Sequence, residues 1–310
     1  MLDKIIKLLS FVFLVLGIWF ISKDIETVGA EKLWHMITST PLSILTAVLL
    51  ATGINYLFLI GYDVISLEYI DRFIPYPKII QAALVGFGIS NTAGHAYASG
   101  GAIRYLFYVP QGLKRLEVLK VIAFETLSIF IGIMVAFEIA VLLSFFELSK
   151  SAYTKLNEVH FIGIILLIFL LSYYYFIVIP KRNLKIGKQV IQAPDKKTTL
   201  KQIVVGLGDN VTLFITFYTV FSYYIDASFL EAFTVFIIAQ SIALATQVPG
   251  GIGVFESSFL LLFPHEQSEK TGILASLAVF RVIYYFIPFI VAGIYLGLYR
   301  LKKIKSPSLT

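Results

Sequence analysis

Six ionisable side chains fall inside stretches otherwise apolar enough to sit in hydrocarbon: Arg104, Glu125, Glu138, Asp209, Glu256 and Arg281. A charge at that depth is costly, so such residues pair or line a functional path. Four of them are patterned. Gly100-Gly101 is followed by Arg104, and the next apolar segment carries Glu125. Pro249-Gly250-Gly251, with Gly253 close behind, is followed by Glu256, and the next segment carries Arg281. Each glycine-rich break therefore offers one charge, and the segment after it offers the opposite one. Two chemistries fit. The pairs either staple each break to its neighbour, or present guanidiniums whose planar fork grips a phosphate, aided by free N–H groups at a helix start. Glu125 and Glu256 would then hold the arginines or accept a cationic head group. Asp209, about ten residues into its segment, suits a coupling-ion or proton site.

Other residues offer less. Tyr284, Tyr285 and Pro288 follow Arg281 at helical spacing, so one face carries a cation and two rings, for cation–π contact or plain packing. His95 lies in the first break and could relay protons; His35, His160 and His265 are isolated, and Glu138 is assigned no role. Zero Cys excludes thiolate chemistry and disulfides. No metal-ligand spacing occurs, and no cofactor is expected.

The elements that must position these groups are membrane helices. The 310 residues are 58% hydrophobic and 14% charged, with mean hydropathy +0.86, far from the ~25% charged of soluble domains. A span needs about 20 apolar residues. Ile5–Ser22, Leu42–Tyr62, Val118–Phe146, Phe161–Ile179, Leu200–Ile225 and Thr271–Tyr299 qualify. Ile5–Ser22 lacks a small-residue cleavage site and is read as a span rather than a signal peptide. Segments 78–109 and 229–263 are interrupted, at Asn91–Gly101 and Pro249–Gly253, by residues that disfavour regular helix. They are kinked helices or re-entrant hairpins. Charge decides for hairpins: 18 of the 25 Lys and Arg then fall on one side and 5 on the other, as cytoplasmic loops require. Phe229–Val248 alone is nevertheless long enough to cross.

The expected fold is an all-α polytopic membrane protein with about six spans and two re-entrant broken-helix hairpins in an inverted-repeat arrangement. It forms one domain, 1–310: an N-terminal helix (1–22), a first half (42–146) with hairpin 78–109, a second half (161–299) with hairpin 229–263, and a basic tail (300–310). Both termini are expected in the cytoplasm. The net charge of +6 resides mostly in short loops, above all Lys181–Lys201, so it speaks for topology and anionic lipid rather than nucleic acid.

Two resemblances follow. Gly206-Leu207-Gly208-Asp209 fits the G-x-G-D signature of intramembrane aspartyl proteases, with Tyr62-Asp63 as partner, but no Pro-Ala-Leu element accompanies it. A stronger one covers nearly the whole chain. Ser99-Gly100-Gly101-Ala102-Ile103-Arg104, then Phe124-Glu125, resembles the first block of the lysylphosphatidylglycerol synthase transmembrane region, a flippase-like domain family; Ser99 stands where that family usually has Pro. Gln247-Val248-Pro249-Gly250-Gly251-Ile252-Gly253-Val254-Phe255-Glu256, then Arg281, resembles its second block. The resemblance implies movement of a lipid, aminoacylated phosphatidylglycerol in the best-known members, between leaflets. The chain stops soon after its last span, so the soluble transferase domain of those members, and its enzymatic activity, are not expected. The expected function is a lipid flippase acting on a membrane phospholipid, with Arg104 and Arg281 contacting phosphate. The rivals are a non-transporting subunit of a separate lipid-modifying transferase and, less well supported, the protease.

Overall fold

The computed structural model describes residues 15–19, 21–93, 96–147, 157–181, 183–186 and 189–305. Among them the chain is almost entirely helical. After a helical stretch at 21–28 come α1 (Ala30–Thr38), α2 (Leu42–Tyr69), α3 (Tyr76–Ala93), α4 (Ala96–Tyr108), α5 (Arg115–Glu147), α6 (Asn157–Tyr173), α7 (Lys196–Tyr224), α8 (Phe229–Thr246), α9 (Val254–Leu262), α10 (Lys270–Phe280) and α11 (Ile287–Lys305). Two short strands, β1 (Leu184–Ile186) and β2 (Gln189–Ile191), pair antiparallel between α6 and α7. Single π-helical turns follow α6 at Tyr174–Val178 and join α10 to α11 at Arg281–Phe286.

Among the described residues six helices are long and apolar enough to cross a membrane: Leu42–Tyr69, Arg115–Ser144, His160–Val178, Lys196–Tyr224, Phe229–Thr246 and Lys270–Leu301. The chain is thus an all-α, multi-pass membrane protein. Five of these contain or closely match expected spans. The expected first span, Ile5–Ser22, lies mostly outside the described residues, as do His95 and the 306–310 end of the basic tail. The sixth is α8, the first limb of the second interrupted segment.

The interruptions differ from one another. At the second, the backbone takes left-handed φ at Gln247 (55°), Gly250 (60°), Gly251 (61°) and Gly253 (82°), a region that glycine enters without steric cost. Helix cannot continue there. At the first, Gly100 and Gly101 are not at the break at all. They lie inside α4, which begins at Ala96, while α3 runs to Ala93. Their lack of side chains serves packing instead: a Cβ at Gly101 would come within 2.9 Å of Ile122 on α5, and one at Gly100 within 3.0 Å of the Arg104 guanidinium.

Glycines also set two close crossings. A Cβ on Gly206 would stand 2.4 Å from the Gly132 Cα, so α5 and α7 touch backbone to backbone, as small residues allow in lipid. Gly208 faces the Phe58 ring at a distance no Cβ could tolerate. The glycines of the protease-like string therefore have packing roles. The second half is held by an aromatic core: Phe217 on α7 packs against Phe236, Phe259 and Phe280, from α8, α9 and α10, at 5.0–5.6 Å between centroids. At the other end of α7, the Asp195 carboxylate caps the helix by accepting the Thr198 N–H at 2.7 Å, which holds its pKa below the ordinary value.

Candidate functional site

The Pro249–Glu256 string builds a closed unit from its own chemistry. Left-handed glycines turn the chain, and α9 begins at Val254. Glu256, in the first turn, accepts the Gly253 N–H at 2.8 Å through Oε2, as expected of a carboxylate at a helix N-terminus. Its other oxygen takes the Nε–H of Arg281. The rest of that guanidinium donates to the carbonyls of Gly250 and, at 3.2 Å, Gly251, and its Cζ lies 4.5 Å from the Tyr285 ring centre. One arginine thus fastens both the turn and the helix after it to the last span. The expected Glu256–Arg281 pair is formed, and Tyr285 is the ring that meets the cation. Tyr284 turns the other way.

The first cluster is larger than expected. Arg104 forms a bidentate pair with Asp63, Nε to Oδ1 at 2.9 Å and Nη2 to Oδ2 at 2.7 Å, and makes a charge contact with Glu125 at 2.6 Å. Tyr108 donates a further 2.6 Å hydrogen bond to Asp63. Asp63 is completely buried, and Arg104 and Glu125 nearly so. Arg104–Glu125 pairing was legible in the sequence; Asp63 as the main partner was not. The expected span stops at Tyr62, whereas α2 runs on to Tyr69, so Asp63 lies well inside the helix. The apolar residues that follow it, Val64, Ile65 and Leu67, were the available signal.

Asp209 joins neither cluster. Its carboxylate accepts Asn55 Nδ2 at 2.9 Å and the Tyr62 hydroxyl at 3.1 Å, while Tyr284 donates to Asn55 Oδ1 at 2.7 Å. Asn55, a polar residue in mid-span that sequence reasoning passed over, ties α2, α7 and the last span together. Asp63 and Asp209 are thus held by separate partners rather than as a pair sharing one proton, which the protease reading needs.

The two breaks meet. A Cβ on Gly250 would be 3.4 Å from the Thr92 carbonyl and 3.5 Å from that of Asn91, at the end of α3. Beside this contact opens a cavity of about 200 Å³. Arg104, Glu125, Asp209, Gly250 and Gly251 line it, with Asn91 and Gln240. Three of the five expected binding groups, Arg104, Glu125 and Asp209, are therefore brought together at one cavity, while Glu256 and Arg281 stand behind the Gly250–Gly251 turn. With all groups ionised, Asp63, Glu125, Asp209 and Glu256 outnumber Arg104 and Arg281 by two charges.

Residues 7–292 match the family described as the lysylphosphatidylglycerol synthase TM region. The chain belongs to this family. An uncharacterized protein of Synechocystis sp. is 30% identical over 248 residues, 80% of this chain and 77% of that protein. Inner membrane protein YbhN of Escherichia coli is 23% identical over 288 residues, 92% and 89% respectively. Phosphatidylglycerol lysyltransferase of Bacillus subtilis is 24% identical over 235 residues, which are 74% of this chain and 26% of the lysyltransferase. The shared part is the membrane region, so a lipid-related membrane function fits the family.

Proposed function

We propose that the protein is a lipid translocase that moves a phospholipid head group between leaflets through the cavity where the two breaks meet. One observation carries this: ionisable groups from α4, α5 and α7 line a partly polar cavity inside apolar helices, with Asp63 of α2 paired to Arg104 behind it, an arrangement that hydrocarbon penalises unless it is used. In this scheme Arg104 contacts the phosphate, and Glu125 and Asp209 accept a cationic group; the carboxylate excess favours a zwitterionic or amine-bearing head group, such as an aminoacyl ester, over a bare anion. Arg281 and Glu256 hold the second break in shape. The units 78–109 and 229–263 enter from opposite faces as re-entrant hairpins of an inverted repeat, both termini are cytoplasmic, and access alternates between leaflets. A separate lipid-modifying transferase would supply the substrate.

The test is reconstitution into liposomes with phospholipids labelled on the head group and a membrane-impermeant quencher. Exchange faster than in empty vesicles, reduced by Asp209→Asn, is the expected result. Exchange no faster than in empty vesicles for neutral, anionic and amine-bearing head groups alike would overturn the proposal and favour the subunit reading.

A further inference from the structure

A second cavity of about 310 Å³ lies between α5, α6 and α8. Phe130, Ile133 and Leu244 line it and also line the polar cavity, so the two are neighbours through one shared wall. Its chemistry is the opposite. Met134, Ile162 and Ile242 extend it outward, and Ile162 and Ile242 are exposed on the lipid-facing side. The one hydroxyl in its lining, Ser241, donates to the Ile237 carbonyl and so is engaged within its own helix.

We infer that this groove holds an acyl chain of the same lipid whose head group occupies the polar cavity. The inference rests on the translocase reading and adds where the apolar part of the substrate travels. A space of about 200 Å³ takes a head group but not two acyl chains, so the chains must leave it sideways, and a dry groove begins where the polar lining ends. A partner helix is the poorer occupant: helix pairing in lipid favours small residues, and apart from Ser241 and Ala245 on α8 these walls are built from Phe, Ile, Leu and Met side chains.

Photolabelling tests this in vesicles of phosphatidylglycerol doped with phosphatidylethanolamine bearing a diazirine near the acyl methyl end. Peptides covering 130–137 and 238–245 should be labelled several-fold more than 290–298, although Ile290, Ile294 and Leu298 are more exposed than Ile242. Ile242→Trp, which fills the groove from its exposed lip, should lower that labelling and slow leaflet exchange about ten-fold, whereas Ile294→Trp should change neither. Equal labelling of the groove and of 290–298, or an Ile242→Trp protein that labels and exchanges as the parent does, would overturn the inference. Labelling does not require transport. A labelled groove without exchange by the parent protein would therefore overturn the translocase reading and leave the groove standing as a lipid site; exchange without preferential labelling would overturn the groove alone.

Discussion

Arg104 is the residue on which the first cluster depends, because it is the cation facing two buried carboxylates. Removing one member of such a group leaves uncompensated charge and costs about 3–5 kcal/mol. Arg104→Ala should therefore lower thermal stability in detergent sharply, and the Asp63→Ala/Arg104→Ala double variant should lose less than the sum of the single changes, since both remove the same contact. Arg281→Lys is predicted to destabilise as well: an ammonium presents a single centre, and cannot match the fork that reaches Glu256 and the Gly250 and Gly251 carbonyls together. Asp209→Asn should behave differently, keeping stability close to that of the parent while reducing exchange, because neutral groups, Asn55 and Tyr62, hold this carboxylate. The sequence made both arginine–glutamate pairs legible through their position after each glycine-rich string. It hid Asp63 and Asn55, since a lone polar residue on a long apolar helix carries no mark of which neighbour it meets.

Breaks and helices respond to glycine substitution in opposite ways. Gly251 has φ +61°, and an added Cβ would lie 3.0 Å from that of Ala243; Gly251→Ala should destabilise by about 1–2 kcal/mol, read as a lower unfolding midpoint. Gly100 is helical, where Ala is favoured by up to about 1 kcal/mol, but its new methyl would stand 3.0 Å from Arg104 Nη1. Gly100→Ala should accordingly leave the unfolding midpoint near that of the parent and diminish exchange by displacing the guanidinium. The contrast also explains why Gly100 and Gly101 read as part of the first break. Gly-Gly reads alike in sequence whether it ends a helix or lets another helix approach, and only the neighbour, here Ile122 or Arg104, distinguishes the two. At Pro249–Gly253 a proline and a third glycine removed that ambiguity.

At the scale of the molecule, hydropathy sufficed to find five of the six long apolar helices among the described residues, and with them the general architecture. The contact between the two breaks was not legible, because it depends on backbone carbonyls of Asn91 and Thr92 that have no sequence signature. The proposed orientation is open to a direct check, since the chain has no cysteine. Phe73→Cys and Gln111→Cys, on either side of the α3–α4 unit, should both react with an impermeant maleimide from the cytoplasmic face. Ser228→Cys and Gln267→Cys, flanking α8–α9, should both react from the other. Reaction of either pair from opposite faces would mean that its unit crosses.

The π-helical turn at Arg281–Phe286 sets the rotational phase of the rest of the last span. Over nine residues this stretch meets the aromatic core through Phe280, the second break through Arg281, Asn55 through Tyr284, Thr92 through the Tyr285 carbonyl and Gly88 through Pro288. A π turn contains one residue more than the α-helical turn it replaces. Coiled as a plain α-helix, the same residues would carry everything beyond Phe286 roughly 100° further round the axis. Either the guanidinium or the Pro288 ridge would then point the wrong way, so the phase of this one coil keeps the two halves of the protein in step.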